Sequence, residues 1–359
     1  MNVKLSKTQI KIFILAWIAY AFAYLGRVNL SIALPLMKQS GVFDITLLGF
    51  VGTSFYWVYA VGQLINGRLG DKIRLDIFVF IGLLVSAITN ILVGSINIAS
   101  WLIILWAING LFQSMLWGPF MRIISKTFPP SKQKNAGLIM FVACIVGYLL
   151  TYLGLSNLIV SIGFRYAFII PGIILFIYSF IWLFSNRKLN VIKHIEKSNT
   201  SYMTLLKDKS IILLIIFCIP LGFFREGVLL FGPLYLVKTF NMPLNLIMNQ
   251  AILIPILNLA GVLLARYLSD KIKNIYKVIG ALFVFGLFNF AFVFIFANIN
   301  ITLSILFISM CSASFYGTTS LVTSTIPIKH KMTSSLAGLL DFWIYFGAGL
   351  SGFAITLIA

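Results

Sequence analysis

The strongest constraint on the fold is a series of eleven predominantly apolar runs, each long enough to cross a lipid bilayer as one helix. Roughly 20 residues, each rising ~1.5 Å, cover the ~30 Å hydrocarbon core. Hydrophobic residues make up 60% of the 359 positions and charged residues 10%, whereas soluble domains hold about 45–50% and 25%. The sequence lacks the ~10-residue alternating segments of a transmembrane β-barrel. It therefore predicts an all-α integral membrane protein.

Lysine and arginine are concentrated in alternate loops between these runs, which we number spans one to eleven. The spans begin near Ile10, Thr46, Ile77, Ser100, Ala136, Tyr166, Ser210, Leu244, Val278, Ile301 and Ser334. If the N-terminus is cytoplasmic, 22 of the 27 basic residues lie inside, and only Lys38, Arg165 and Lys238 lie outside. This asymmetry follows the positive-inside rule and explains the net charge of +19 without a nucleic-acid partner. We expect a multi-pass protein of the cell inner (plasma) membrane.

Two landmarks recur at nearly one spacing, which indicates an internal duplication. Arg27 and Arg225 stand 198 positions apart, and Asp71 and Asp270, each in a basic loop after an apolar span, stand 199 apart. Matched repeats with six spans each would enter the membrane from the same side and build a central site between them. We therefore predict a fold of two six-helix repeats.

The predicted division places an N-terminal six-helix bundle at 1–185, a cytoplasmic linker at 186–209 and a C-terminal bundle at 210–359. The linker is the one long polar stretch between spans. Only five spans follow it, so the expectation from the duplication is that the twelfth helix is lacking.

The two arginines are the leading candidates for a binding site. A cation near the middle of a span costs at least ~2.5–3.5 kcal/mol on insertion scales, and such residues usually face a cavity or pathway. Tyr20, Tyr24 and Arg27 follow helical spacing and share one face of span one. Guanidinium groups bind phosphate through paired hydrogen bonds, so Arg27 and Arg225 could together neutralise a phosphoryl dianion. The alternative is that each arginine reaches the interface or pairs with a structural partner.

Other polar residues inside spans could complete the site. Gln63, Gln113 and Trp117 lie on spans two and four and could contact substrate hydroxyls, or join helices instead. Asp341 on span eleven could contact substrate, pair with an arginine or carry a proton. Glu226 follows Arg225 directly, about 100° around the helix, so we expect it to be a poor partner for that arginine.

The loop after span two resembles the signature of the major facilitator superfamily. It reads Gly67-Arg-Leu-Gly-Asp71-Lys72-Ile-Arg74, and a degenerate copy containing Asp270 follows span eight. Asp71 could cap a helix N-terminus or pair with basic residues, and so latch the halves together on the cytoplasmic side.

Within that superfamily the chain is similar to the organophosphate:phosphate antiporters, which include glycerol phosphate and hexose phosphate transporters. The similarity rests on segments in spans one, two, four, seven and eleven: Tyr24-Leu-Gly-Arg27-Val-Asn, Tyr59-Ala-Val-Gly-Gln63, Asn109-Gly-Leu-Phe-Gln113-Ser-Met-Leu-Trp117, Arg225-Glu-Gly and Ala337-Gly-Leu-Leu-Asp341. The resemblance implies that Arg27 and Arg225 grip phosphate, with Tyr20 and Tyr24 lining the site. Gln63 and Val146 depart from a lysine and a histidine in better-known members.

The resulting hypothesis is a secondary active transporter that exchanges a phosphorylated metabolite, glycerol phosphate or a sugar phosphate, for inorganic phosphate by alternating access. We expect a monomer in the bilayer without cofactor or metal. Two alternatives stay open: a carboxylate symporter of the same superfamily, and a sugar-phosphate sensor that does not transport. A drug/proton exporter would need an acidic cavity, and an enzyme would need a nucleophile–base set or metal cluster that the sequence does not suggest.

Overall fold

The computed structural model describes residues 5–41, 43–69, 73–96, 98–186, 207–296, 299–329 and 333–358, and these are overwhelmingly helical. Eleven of the helices are long and apolar enough to cross a membrane, as predicted. In chain order the spans are Lys7–Gln39, Ile45–Leu69, Leu75–Ser95, Ala99–Thr127, Pro130–Ile162, Tyr166–Asn186, Lys209–Phe240, Asn249–Lys271, Ile275–Ile295, Ile301–Thr325 and Thr333–Ile358. A short helix, Leu244–Ala251, overlaps the start of span eight.

Spans five and ten are not uniform α-helices. Leu150–Leu155 in span five and Leu321–Thr325 in span ten form π-helical turns. Such turns re-aim the side chains on either side of them, and they occur often at functional sites. The π-turn of span ten begins five residues after Tyr316, which lies at the site described below.

Several span ends are closed by side-chain caps. Ser6 and Gln9 form a reciprocal capping box at the start of span one, and Gln9 also donates to the carbonyl of Thr127 on span four. Asp208 accepts from the Ser210 amide at the start of span seven. These caps satisfy amide groups that the first helical turn leaves without partners.

Packing between helices repeats along the chain. Span two lies along span four and span three along span four; correspondingly, span eight lies along span ten and span nine along span ten. Close approach depends on small residues: a Cβ added at Gly222 of span seven would lie 1.7 Å from the Ile344 carbonyl oxygen of span eleven. The division into domains at 186–209 stays a prediction, and residues 187–206 of that linker lie outside the described part of the chain.

Spans one to six meet spans seven to eleven along three seams, formed by spans one and seven, two and eleven, and five and eight. Thr53 Oγ1 donates to the Gly349 carbonyl at 3.0 Å, and Trp57 Nε1 donates to the Phe346 carbonyl at 3.1 Å. Asn157 and Asn249 are hydrogen-bonded at 3.2 Å. The Asn157–Asn249 contact lies at span ends that the charge distribution assigns to the outside, whereas Trp57 and Phe346 lie near the middle of spans two and eleven.

The loop signature is described only in part. Asp71 and Lys72 lie outside the described residues, and Gly67 is in the last turns of span two. Arg74 forms a two-pronged ion pair with Asp76, at 2.7 and 3.2 Å, and this pairing raises the pKa of the Arg74 guanidinium. Asp270 accepts from Arg266 on its own helix at 2.8 Å. Exposed pairs of this kind contribute little to stability.

Candidate functional site

Arg27 lies in the middle of span one with its side chain enclosed by aromatic rings. Its guanidinium carbon is 4.8 Å from the ring centroid of Tyr59, 5.1 Å from those of Tyr24 and Phe55, and 4.8 Å from that of Tyr345. Such cation–π contacts stabilise a cation by up to about 2 kcal/mol when water is excluded. The side chain is 6% exposed, so this cation is buried without reaching the interface.

The hydrogen bonding of the Arg27 guanidinium is incomplete. It makes no ion pair with any acidic residue in the described part of the chain, and its Nη2 atom is buried without a hydrogen-bond partner. A buried charged group with an unused donor is costly. An anionic ligand is one way to satisfy it.

Arg225, in contrast, is paired. Its Nη2 lies 2.6 Å from Oε1 of Glu226, and the Tyr56 hydroxyl on span two donates to Oε2 of the same carboxylate at 2.9 Å. The expectation that Glu226 is a poor partner for Arg225 is therefore wrong. Both side chains are long enough to turn toward each other despite their angular separation, and in a buried setting (4% and 2% exposed) each charge needs the other.

One tyrosine ring joins the two arginines. Tyr345 on span eleven has its ring centroid 4.8 Å from the guanidinium carbon of Arg27 and 5.3 Å from that of Arg225. The two guanidinium carbons are therefore at most about 10 Å apart. The repeat spacing predicts that Arg27 and Arg225 occupy equivalent positions, and in the structure these two cations, from spans one and seven, lie close together.

The backbone beside Arg27 is anchored by three side-chain amides. Asn90, Asn109 and Gln113 all donate to the carbonyl oxygen of Gly26, at 3.0, 3.2 and 3.3 Å. Asn29 completes the network by donating to Asn90 Oδ1 at 2.8 Å. Gln113 is a predicted substrate ligand, but its amide is hydrogen-bonded to spans one and three. These bonds correspond to the alternative role, in which the residue joins helices.

The other predicted site residues line an aromatic wall. Tyr20 stacks on Trp117, with ring centroids 5.2 Å apart, and meets Tyr24 edge to face at 5.1 Å. Gln63 Nε2 donates to the Tyr59 hydroxyl at 2.8 Å, and so fixes one of the rings around Arg27. Tyr20, Tyr24 and Trp117 remain predicted binding residues; Gln63 contacts the site through Tyr59.

Asp341 stands one helical turn before Tyr345 and is 7% exposed. Among the described residues it makes neither an ion pair nor a hydrogen bond, so the proposed pairing with an arginine is not observed. Its carboxyl group interacts electrostatically with both arginines. It therefore faces the same buried region as the two cations and stays a candidate for contact with substrate.

Sequence reasoning missed the parts played by Tyr345, Tyr316 and Asn90. Tyr316 on span ten lies 5.6 Å from the Arg225 guanidinium carbon and contacts Tyr148 of span five. The available signal was the presence of tyrosine and asparagine in the middle of apolar spans, since such polar groups need partners there. Spacing within single helices could not predict that all three residues lie around the two arginines.

The comparison with protein families decides the classification. Residues 16–352 match the Major Facilitator Superfamily. The chain therefore belongs to this superfamily. A solved structure has the same fold: a bacterial homolog of the human lysosomal transporter Spinster superposes with a TM-score of 0.77 at 15% identity, covering 97% of this chain and 82% of that one. At that identity the likeness concerns the fold alone.

Curated relatives of this superfamily member bear the names that the sequence resemblance predicts. A "Probable hexose phosphate transport protein" of Chlamydia muridarum is 25% identical over 98% of this chain and 85% of its own. A "Glycerol-3-phosphate transporter" of Bacillus subtilis is 31% identical over 50% of this chain and 42% of its own. A "Membrane sensor protein UhpC" of Salmonella typhimurium is 26% identical over 45% and 37%. The chain thus spans less than half the length of the last two.

Proposed function

We propose that the protein transports a phosphorylated metabolite, glycerol phosphate or a sugar phosphate, in exchange for inorganic phosphate by alternating access. The observation that carries this proposal is the pair of buried arginines, contributed by spans one and seven, that share the ring of Tyr345. Arg27 retains a buried, unused donor. A phosphoryl group offers both the negative charge and the several acceptor oxygens that such donors need.

The surrounding rings favour a substrate in which the phosphate is attached to a small polyhydroxylated organic group. Tyr24, Tyr59, Tyr148 and Tyr316 are buried around the two cations and bring hydroxyl groups beside apolar ring faces. Binding sites typically combine such apolar walls with a few directed polar groups. A sugar or glycerol moiety, with its hydroxyls and C–H faces, suits that lining, and the names of the relatives support this substrate class.

The test is phosphate counterflow in proteoliposomes. Vesicles preloaded with unlabelled phosphate should accumulate labelled phosphate, and external glycerol 3-phosphate or glucose 6-phosphate should compete. Succinate serves as the probe for the carboxylate alternative. Competition by succinate but not by either organophosphate would reject the proposal in favour of a carboxylate symporter.

The sensor alternative is favoured by the match to a membrane sensor protein. It predicts ligand binding without flux. Measuring glucose 6-phosphate binding and counterflow on the same preparation separates the two functions: saturable binding with no accumulation above that of protein-free vesicles would establish the sensor.

We further propose that the protein resides in the plasma membrane with a cytoplasmic N-terminus, and that it works as a monomer. The charge distribution supports this orientation, since 22 of 27 basic residues then lie inside. Single cysteines introduced at Lys38 and Lys238 should react with an impermeant thiol reagent applied to intact cells, while one at Lys209 should not.

A further inference from the structure

The two arginines of the site are in unequal electrostatic states. Arg225 is bound to the carboxylate of Glu226 at 2.6 Å, whereas Arg27 contacts aromatic rings, makes no salt bridge within the described residues and has an unused Nη2 donor. Arg225 also has a buried atom, Nε, that lacks a hydrogen-bond partner. The carboxylate therefore engages Nη2 of Arg225 and leaves Nε unsatisfied.

A carboxylate and a phosphoryl group are interchangeable partners for a guanidinium. Both accept charge-assisted hydrogen bonds along its planar edge. Two such anions bound side by side on one arginine would repel each other strongly at low dielectric. A phosphoryl group that reaches Arg225 therefore competes with Glu226 for the same donors.

We propose that Glu226 is a tethered competing anion, which occupies Arg225 in the empty site and is displaced when the phosphoryl group binds. This inference rests on the proposed function. Arg27 is then the first contact for the incoming anion, because no carboxylate is paired with it among the described residues, and Arg225 becomes available as Glu226 leaves. Glu226 thereby lowers the affinity of the site for the phosphoryl group, and the lower affinity allows the substrate to be released.

The displacement has a consequence beyond the site. Glu226 also accepts from the Tyr56 hydroxyl at 2.9 Å, so its carboxylate joins span seven to span two. When the carboxylate moves, this bond between the two groups of spans is lost. Occupancy of the site is in this way linked to a contact that opposes separation of spans two and seven.

The decisive substitution is Glu226→Gln, which removes the competing charge and keeps the side-chain shape. In the empty site the phosphoryl group has to displace the charged hydrogen bond between Glu226 and Arg225. Weakening that bond by the substitution should tighten phosphate binding about ten-fold. The chain has only two glutamates, so Glu196→Gln in the predicted linker is the matched control and should leave the phosphate Kd unchanged. Binding is measured on purified protein, together with Tm.

The outcomes are distinct for the inference and for the proposed function. Phosphate binding by the wild type with equal or weaker binding by Glu226→Gln would overturn the inference and leave the function standing. Absence of phosphate binding in both proteins would overturn both. Tighter binding with a lowered Tm supports the inference, because a merely structural role lowers Tm without raising affinity.

A second measurement needs no change at Glu226 and so covers a Glu226→Gln protein that does not fold. In the Glu196→Gln background, Glu226 is the only glutamate, and side-chain 13C labelling makes its carboxylate stretch separately visible by infrared difference spectroscopy. Phosphate should shift that band as the carboxylate leaves Arg225. A spectrum unchanged at saturating phosphate would overturn the inference.

Discussion

Each of the two buried cations is held by a different residue chemistry. Arg27 lies within 5.8 Å of four tyrosine rings and one phenylalanine ring, whereas Arg225 adds to two tyrosine rings an ion pair with the adjacent carboxylate. Rings stabilise positive charge without competing for the hydrogen-bond donors of the guanidinium. Arg27 therefore stays available to a ligand while its burial remains tolerable.

The first prediction concerns the guanidinium shape. Arg27→Lys and Arg225→Lys keep the charge but lose the planar fork, so each should weaken phosphate binding by roughly ten- to several-hundred-fold, as expected for one or two hydrogen bonds to a charged group. Since both forks would hold one phosphoryl group, the double variant should cost less than the sum of the singles. Normal phosphate Kd values in both single variants would reject the site.

The second prediction concerns the shared ring. Tyr345→Leu removes a cation–π partner from both arginines and should lower the free energy of unfolding by about 2 kcal/mol. Tyr345→Phe keeps the ring face and should lie within about 1 kcal/mol of the wild type. Melting curves and phosphate Kd values measured together check this. Equal losses in the two variants would show that the hydroxyl, and not the ring, matters.

At the scale of helices, close backbone contacts fix how the site-bearing spans face each other. Gly222 lies one turn before Arg225 on span seven, and its Cα faces the Ile344 carbonyl of span eleven. Small residues permit this approach in membrane proteins, where packing and not water exclusion joins helices. The approach places Arg225 beside Tyr345, one residue after Ile344.

The third prediction tests that helix contact. The Cβ of Gly222→Ala would lie 1.7 Å from a backbone oxygen, which cannot move aside alone. The spans must separate, and we expect a loss of about 1–3 kcal/mol in stability with weaker phosphate binding. Gly280→Ala on span nine, with nothing within 4 Å of its added Cβ, is the control. A Gly222→Ala protein as stable as Gly280→Ala would contradict the packing described.

At the scale of the whole molecule, the first six spans contact the last five both near the middle of the spans and at their predicted outer ends. Asn157 and Asn249 form an exposed hydrogen bond there, and Thr53 and Trp57 donate to carbonyls of span eleven. Alternating access by rocking of two halves requires these seams to open. The Asn157–Asn249 contact joins the two groups of spans at their predicted outer ends, so rocking would require it to separate.

The fourth prediction follows from that seam. Asn157→Cys with Asn249→Cys, joined by a short reducible bifunctional thiol reagent, should abolish phosphate counterflow, and reduction should restore it. Phosphate binding should survive, because the crosslink lies away from the arginines. The native cysteines Cys144, Cys218 and Cys311 are buried and should not interfere. Each single-cysteine variant treated with the same reagent is a control. Full counterflow in the crosslinked protein would show that exchange does not require these two groups of spans to separate.

Features that depend only on position along the chain could be predicted from the sequence. Span number follows from run length, because the bilayer sets the minimum apolar length of a helix. The matching of Arg27 with Arg225 follows from a repeat offset, since equivalent positions in duplicated units lie at equivalent depths. The superfamily likewise follows from a local loop signature.

Which side chains contact each other could not be predicted and is known from the three-dimensional arrangement of the helices. The pairing of Glu226 with Arg225, the ring of Tyr345 between both arginines and the three amides on the Gly26 carbonyl each depend on helix rotation and side-chain rotamers. Helical periodicity gives the face a residue lies on, but long side chains reach beyond that face, as Glu226 does. Contacts between spans two, seven and eleven join residues more than 100 positions apart, and no spacing within one helix specifies them.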